Sequence, residues 1–414
     1  MFTAEGSNLN RRWRMLALIW LVYVCFGITV GSFPPLVSFI SEDLGLSSTE
    51  MGLVLGAWQL VYIFTASPIG RLIDKYGVRK SVTVGLIIIL ISLVSRTIAD
   101  NFITLFLTVA IFGIGGPIIS IGAPKVVSEW FQGTERGFAA GVYTTAPLAG
   151  VAIAIATAAS IVEPITGSWR GIALVYGSII LGVLILWVLA AVDPPDKASE
   201  SFNGRDKAKP QTLPLLKITN VQIILILALV TFLASHGLQN WLPTLLTDDG
   251  MSVTIAGNWV SAAIVAGAIS LVLIPLVSTY GIRRFVMGSM LLASSLSGLG
   301  LVFFDGTGQI ISVMAWSIAR SPIIAVSMLI LMDTKGVGKA KMGTAAGLFY
   351  AVAEVGGFSG PFILGAVRDI TGNLDIGVVS ISLATMALIA LMKLVRESAS
   401  DIERDSTPNT THVP

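Results

Sequence analysis

The chain is poor in the residues that build most active sites. Among 414 residues there is one cysteine, there are two histidines, and charged residues make up only 12%. Cys25 on its own excludes an internal disulfide framework and a cysteine metal cluster. His236 and His412 are too few for a zinc or di-iron centre. With no Ser/His/Asp set either, nothing points to an enzyme, and no cofactor or metal is expected. There is no phosphate-cradling Walker loop, which excludes ATP-driven transport by this chain alone. The net charge is only +2 and no basic patch is interleaved with aromatics, so nucleic acid is not an expected partner.

What is abundant is apolar sequence. Hydrophobic residues make up 54% of the chain and its mean hydropathy is +0.84, beyond the range of a soluble domain. A spanning helix needs roughly 20 apolar residues. Twelve stretches qualify, near 13–40, 49–69, 81–99, 102–124, 137–162, 170–192, 218–247, 252–277, 285–303, 309–332, 342–367 and 376–394. They are continuous rather than alternating, which predicts helices and not a barrel. The first follows Arg11, Arg12 and Arg14 but is too long for a signal peptide and lacks a small-residue cleavage site, so it reads as a retained helix. Placing both termini and every second loop on one side gathers there all the loop Lys and Arg except Arg170 and Arg368. Because basic loops stay in the cytoplasm, both termini are expected there. The expectation is an all-α, monomeric, multi-pass protein of a prokaryotic cytoplasmic membrane. It divides into a six-helix bundle over 1–192, a polar cytoplasmic linker over 193–217, a second six-helix bundle over 218–396 and a disordered cytoplasmic tail over 397–414.

The two bundles repeat one another at a shift of 204 to 206 residues. Gly45-Leu46-Ser47-Ser48-Thr49 returns as Gly250-Met251-Ser252-Val253-Thr254, and Tyr76-Gly77-Val78-Arg79-Lys80 as Tyr280-Gly281-Ile282-Arg283-Arg284. Pro117-Ile118-Ile119 returns as Pro322-Ile323-Ile324, and Gly137-Phe138-Ala139-Ala140-Gly141 as Gly343-Thr344-Ala345-Ala346-Gly347. Four matches in order at a nearly constant offset define an internal repeat. Two six-helix halves inserted the same way are the plan of a rocking transporter with a binding site between them near the midplane.

The stretch Gly70-Arg71-Leu72-Ile73-Asp74-Lys75-Tyr76-Gly77, followed by Arg79-Lys80, resembles the loop signature of the major facilitator superfamily, and the resemblance extends over essentially the whole chain. Trp130-Phe131, Glu135-Arg136-Gly137, His236-Gly237 and Asn240-Trp241-Leu242-Pro243 resemble its cyanate-permease-like and nitrate/nitrite-porter-like branch. Departures include Val78 after the loop glycine, Val109 and Ala110 where many drug exporters carry arginine, and Ala146-Pro147-Leu148-Ala149-Gly150 in place of a full antiporter motif. They argue against drug/proton antiport.

Gly70 and Gly77 are expected to allow a tight turn between spans. The resemblance implies a latch that holds the cytoplasmic side closed while the cavity faces outward, in which Asp74 meets the positive end of span eleven near Gly343, while Arg79 or Lys80 pairs with Glu129 or Glu135. Arg136 belongs to the same gating group. Arg283-Arg284 in the second copy lacks the acidic partner, and Lys125 with Glu129 has the spacing of a helical ion pair. Arg96, near the outer end of span three, is expected to snorkel. Arg320 lies midway along span ten, where it costs about 2.5–3.5 kcal/mol and calls for a partner or a water-filled cavity. Its counterpart in the first half is Gly115. Glu354, near the middle of span eleven, is the candidate proton carrier, because burial disfavours a charged carboxylate. A static ion pair of Arg320 with Glu354 is the structural alternative. His236 and Asn240 share a face of span seven. The resemblance places spans one, four, seven and ten around the cavity, adding Tyr23 and Phe26, with Trp58, Gln59 and Tyr143 as further substrate contacts.

The favoured reading is a secondary transporter that moves a small anion with protons, in symport, by alternating access. An exporter of neutral or cationic compounds using Glu354 is the runner-up. A non-transporting solute sensor would need an output domain, for which 193–217 is too short.

Overall fold

The computed structural model describes residues 2–194, 212–279 and 281–396. Most of the linker, 195–211, and the tail 397–414 lie outside the described residues. Among the described residues, twelve helical segments are long and apolar enough to cross a membrane. They are α1 (Arg11–Leu44), α2 (Ser48–Tyr76), α3 (Val78–Ile98), α4 (Phe102–Trp130), α5 (Glu135–Thr166), α6 (Trp169–Ala190), α7 (Thr219–Asp248), α8 (Val253–Val277), α9 (Arg283–Phe303), α10 (Thr307–Met332), α11 (Lys341–Thr371) and α12 (Asp375–Met392). An even number of crossings brings both ends of the chain out at one face, called here the terminal face; the opposite one is the far face. The last residues of the expected linker are folded: Thr212–Leu215 form a single helical turn and Leu215 is buried.

The turn between α2 and α3 is tighter than the two glycines suggested. Gly70 lies inside α2, which continues to Tyr76. Only Gly77 leaves the helix, at φ 81°, with its N–H on the Ile73 carbonyl at 2.9 Å. The intervening residues are good helix formers, and only the second glycine meets a backbone angle that demands one.

Proline inside a spanning helix frees the carbonyl four residues earlier, and hydrocarbon offers no water to satisfy it. In α4, Pro117 frees the Gly113 carbonyl, and Thr65 Oγ1 of α2 donates to it at 2.7 Å. In α10, Pro322 frees the Ile318 carbonyl, and Ser270 Oγ of α8 donates to it at 2.8 Å. Donor, acceptor and proline are all displaced by 205 residues, so the repeat extends from sequence to individual hydrogen bonds. In α10 the consequence goes further. The helix is interrupted, with one segment ending at Arg320 and the next starting at Ile323. Arg320 therefore sits in the last turn of a half-helix, where the exposed carbonyl ends favour a cation.

Arg96 does not snorkel. It is 2% exposed, donates from Nη1 to Ser32 Oγ at 3.2 Å and stacks on the Phe33 ring at 4.4 Å. The reason is the break in α1 at Ser32–Leu36, where Pro34 and Pro35 force a short 3₁₀ turn that offers polar and aromatic partners within the bundle.

Ser270→Ala is expected to lower thermal stability in detergent by about 0.6–1.7 kcal/mol, the range for interhelical hydrogen bonds in membranes. Thr65→Val should cost a similar amount, and because the sites lie in different halves the two losses should add.

Candidate functional site

The halves touch at the far face and part toward the terminal face. On α2 and α11, a Cβ on Gly52 would run into the Pro361 carbonyl and one on Gly365 into the Ser48 carbonyl. On α5 and α8, Ser261 Oγ donates to the Ala152 carbonyl at 2.9 Å. Toward the terminal face the same helices stand clear: Gly70 of α2, Gly137 and Gly141 of α5, and Gly343 and Gly347 of α11 have open space beside them. The result is a cleft between the halves, closed at one end.

At its base lies a run of aromatic rings. Tyr143 stacks on Tyr23 at 6.4 Å, Tyr23 meets Phe26 at 5.4 Å, Phe26 meets Trp58 at 5.9 Å, and Trp58 meets His236 of the second half at 6.3 Å. Gln59 Nε2 lies 3.3 Å from His236 Nδ1, joining α2 to α7. The sequence candidates Tyr23, Phe26, Trp58, Gln59, Tyr143 and His236 thus form one surface. Asn240 stands apart from it, buried, with its amide donating to the His236 carbonyl at 2.8 Å along its own helix.

Arg320 is half-buried. Its Nη2 donates to Gln239 Oε1 at 2.8 Å, its guanidinium lies 4.5 Å from the centre of the Trp316 ring, and its Nε has no partner. The alternative of a static ion pair with Glu354 is not formed. Glu354 is 8% exposed and its Oε2 is likewise unpartnered. Gln239 is the residue that sequence reading missed; its position three residues after His236, one turn along α7, was the available signal.

The charges at the terminal face are arranged differently from the latch expected there. Asp74 pairs with Lys125 of α4, in its own half, and its side chain is 74% exposed. It does not reach α11, because the two helices have separated at this end. Lys125 therefore serves a pair between helices rather than only a spacing match with Glu129. Glu135 pairs with Arg12 at 2.7 Å, not with Arg79 or Lys80. Arg79 donates to the Val188 carbonyl at 3.2 Å, and Lys80 and Arg136 are exposed. In the second half Arg283 does find an acidic partner, Asp333. This is the counterpart, 204 residues on, of the pairing expected between Arg79 and Glu129. At the far face Asp369, at the end of α11, accepts the backbone N–H groups of Ser48 at 2.9 Å and Thr49 at 2.7 Å, so it caps the N-terminus of α2 across the boundary between halves.

The sequence profile of the Major Facilitator Superfamily matches residues 19–361. The chain belongs to this superfamily. The hexuronate transporter of Bacillus subtilis (strain 168) is 24% identical to it over 387 residues, covering 86% of this chain and 88% of that protein. The nitrite extrusion protein of the same organism is 25% identical over 417 residues, covering 96% and 99%. The crystal structure of the nucleoside transporter NupG shares the fold, with a TM-score of 0.77 at 16% identity over 92% of this chain and 100% of that one. This superfamily member is therefore a multi-pass membrane transporter.

Gln239→Leu removes the neutral acceptor of a half-buried cation and should cost about 1.5–3 kcal/mol of stability. In an Arg320→Gln background the same substitution should cost much less. Thermal denaturation of the four proteins in detergent gives the coupling directly.

Proposed function

We propose that this transporter moves a small anionic solute by alternating access, with a proton as the compensating cation. The observation that carries the reading is Arg320, a cation near mid-membrane held by an amide oxygen and an aromatic face. Five other described cations have carboxylate partners, Arg12 with Glu135, Lys125 with Asp74, Arg170 with Asp43, Arg283 with Asp333 and Arg368 with Asp248, while Arg96, which also lacks one, is fully enclosed within the first half. Arg320 keeps Nε unengaged, and a guanidinium offers a planar fork that fits a carboxylate or similar oxyanion with two parallel hydrogen bonds. The relatives support the class of solute, since their names specify hexuronate and nitrite, both anions. Moving a negative charge inward against 100 mV costs roughly 2.3 kcal/mol, so accumulation requires a cation alongside. Glu354 is the carboxyl group within the membrane that is suited to carry it.

With the termini in the cytoplasm, the cleft faces inward. The helix pair α2 and α11 carries a carboxylate at each end. Asp369 caps the start of α2 while the far face is shut, and Asp74 lies at the opposite end of α2, where closure would bring it to the start of α11. We read these as reciprocal latches, each stabilising one of the two states.

Arg320→Lys retains the charge but loses the fork, and should weaken binding of the transported anion markedly; Arg320→Gln should nearly eliminate it. Flux in proteoliposomes over a panel including glucuronate, tartrate, nitrate and nitrite identifies the substrate, and binding to the folded variants then decides. Unchanged affinity in Arg320→Gln would favour the exporter of neutral or cationic compounds.

Asp369→Ala should shift the population toward opening at the far face by about 1 kcal/mol, roughly fivefold, and Asp74→Ala should shift it the other way. Paired spin labels at the two ends of α2 and α11 report both distances. Distances that do not respond to either substitution would rule out the latches.

A further inference from the structure

Three side chains from three helices close on one point at the base of the cleft. A Cβ built on Gly357 of α11 would lie 3.2 Å from Glu354 Oε2, 3.3 Å from His236 Cδ2 and 3.6 Å from Gln59 Cγ. Gln59 is 0% exposed and comes from the first half, whereas His236 and Glu354 belong to the second. Two of the atoms here are buried acceptors without a partner, Gln59 Oε1 and Glu354 Oε2. Two acceptors cannot satisfy one another, and leaving either bare is unfavourable. A single proton on Glu354 supplies the missing donor, either directly or through one water in the space that glycine leaves open.

The amide of Gln59 has a donor end and an acceptor end, and its two orientations occupy the same heavy-atom positions. With Nε2 toward His236, Nδ1 of the imidazole must be bare, so the ring proton is on Nε2. With Oε1 toward His236, Nδ1 must carry the proton and Nε2 is bare. Only Nδ1 is engaged by Gln59, so Nε2 is the nitrogen left to meet a solute.

We infer that Gln59 is a positioning residue that links protonation of Glu354 to the hydrogen-bonding character of His236 across the boundary between the halves. When Glu354 is protonated, its O–H donates to Gln59 Oε1, the amide N–H donates to His236 Nδ1, and His236 presents an Nε2–H donor. When Glu354 is ionised, the amide turns over, its N–H donates to the carboxylate, and Oε1 accepts from Nδ1–H. His236 then presents a bare lone pair, which repels an anion. The imidazole stays neutral in both states, giving up a proton at one nitrogen and taking one up at the other through cleft water, while Glu354 gains or loses the proton that is carried. An anion is thus favoured when the proton is aboard, and Glu354 never needs to touch it. This deepens the proposed proton-coupled anion transport and rests on it. It also places the relay on both halves, so it is assembled only while α2 and α11 are together at this depth.

The other titratable groups in electrostatic reach of Glu354 are Tyr23 of α1, Tyr62 of α2 and Tyr350 of α11, with Tyr143 of α5 acting on Tyr23 and Tyr350; Arg320 of α10 acts on His236. The phenols carry no charge near neutral pH. Tyr62 Oη is already paired with Ser120 Oγ at 2.9 Å. The relay is therefore the route by which a pH change at Glu354 reaches the ring.

The scarcity of histidine makes the test direct. In full-length protein carrying His412→Gln, isotope-labelled histidine gives nitrogen resonances from His236 alone, and their shifts distinguish the two neutral tautomers without any solute. The expected result is a change from the Nε2–H to the Nδ1–H form as pH rises. Glu354→Gln should abolish the pH response, because an amide does not ionise and so nothing drives the change of tautomer. Gln59→Met should abolish the pH response. Gly357→Ala wedges a methyl group among the three side chains and should weaken the response, providing a second handle if Gln59→Met does not fold. A tautomer that ignores pH in the His412→Gln protein, or one that responds equally in folded Gln59→Met or Gly357→Ala, overturns the relay. Because no solute is involved, that failure leaves the anion reading standing. Loss of the anion reading through Arg320→Gln would in turn leave the tautomer result intact.

Discussion

The constraint on which the rest of this structure depends is that hydrocarbon leaves no backbone polar group unsatisfied. A proline inside a span frees one carbonyl, and at Pro117 and Pro322 the donor that satisfies it comes from the helix alongside. Thr65 and Ser270 answer Pro117 and Pro322 from the neighbouring helix, which fixes α2 against α4 and α8 against α10. The same interruption that Ser270 stabilises ends a half-helix at Arg320. The position of Arg320, the cation proposed to hold an anion, thus follows from a proline two residues further on.

Electrostatics within the membrane follows a similar logic. A charge placed there needs partners, and Arg96 and Arg320 find different ones. Arg96 is enclosed by Ser32 and Phe33 beside a proline-made break, with no neighbouring carboxylate needed to hold it. Arg320 is held by groups of no net charge, so its field is left for whatever enters the cleft. At the two faces, where water competes, charges are paired with each other and set the ends of the helices.

The spans and the repeat were legible in the sequence because they depend on length, periodicity and composition, which a chain carries openly. Arg320, Glu354 and His236 were legible because a polar group in an apolar run is rare. The partners were not. Gln239 is an ordinary amide until the break in α10 turns Arg320 toward α7, and Asp369 looks like any loop carboxylate until α11 is seen to end beside the start of α2. The pairing of Asp74 depends on the state of the cleft: with the terminal face open it stands away from α11 and pairs with Lys125. Gly70 was misplaced because a glycine in sequence signals permission to turn, whereas Gly77 alone has the backbone angle that uses it.

The close approaches at the far face involve glycine against carbonyl, with no side chain between the helices at Gly52 and Gly365. A side chain at such a joint would have rotamers, and so a graded series of partly open arrangements. Bare backbone has none: the surfaces either fit or lose their contacts together. The far face should therefore behave as a switch with two positions and a sharp boundary, narrow enough that a solute in the cleft meets a wall and never a half-open door.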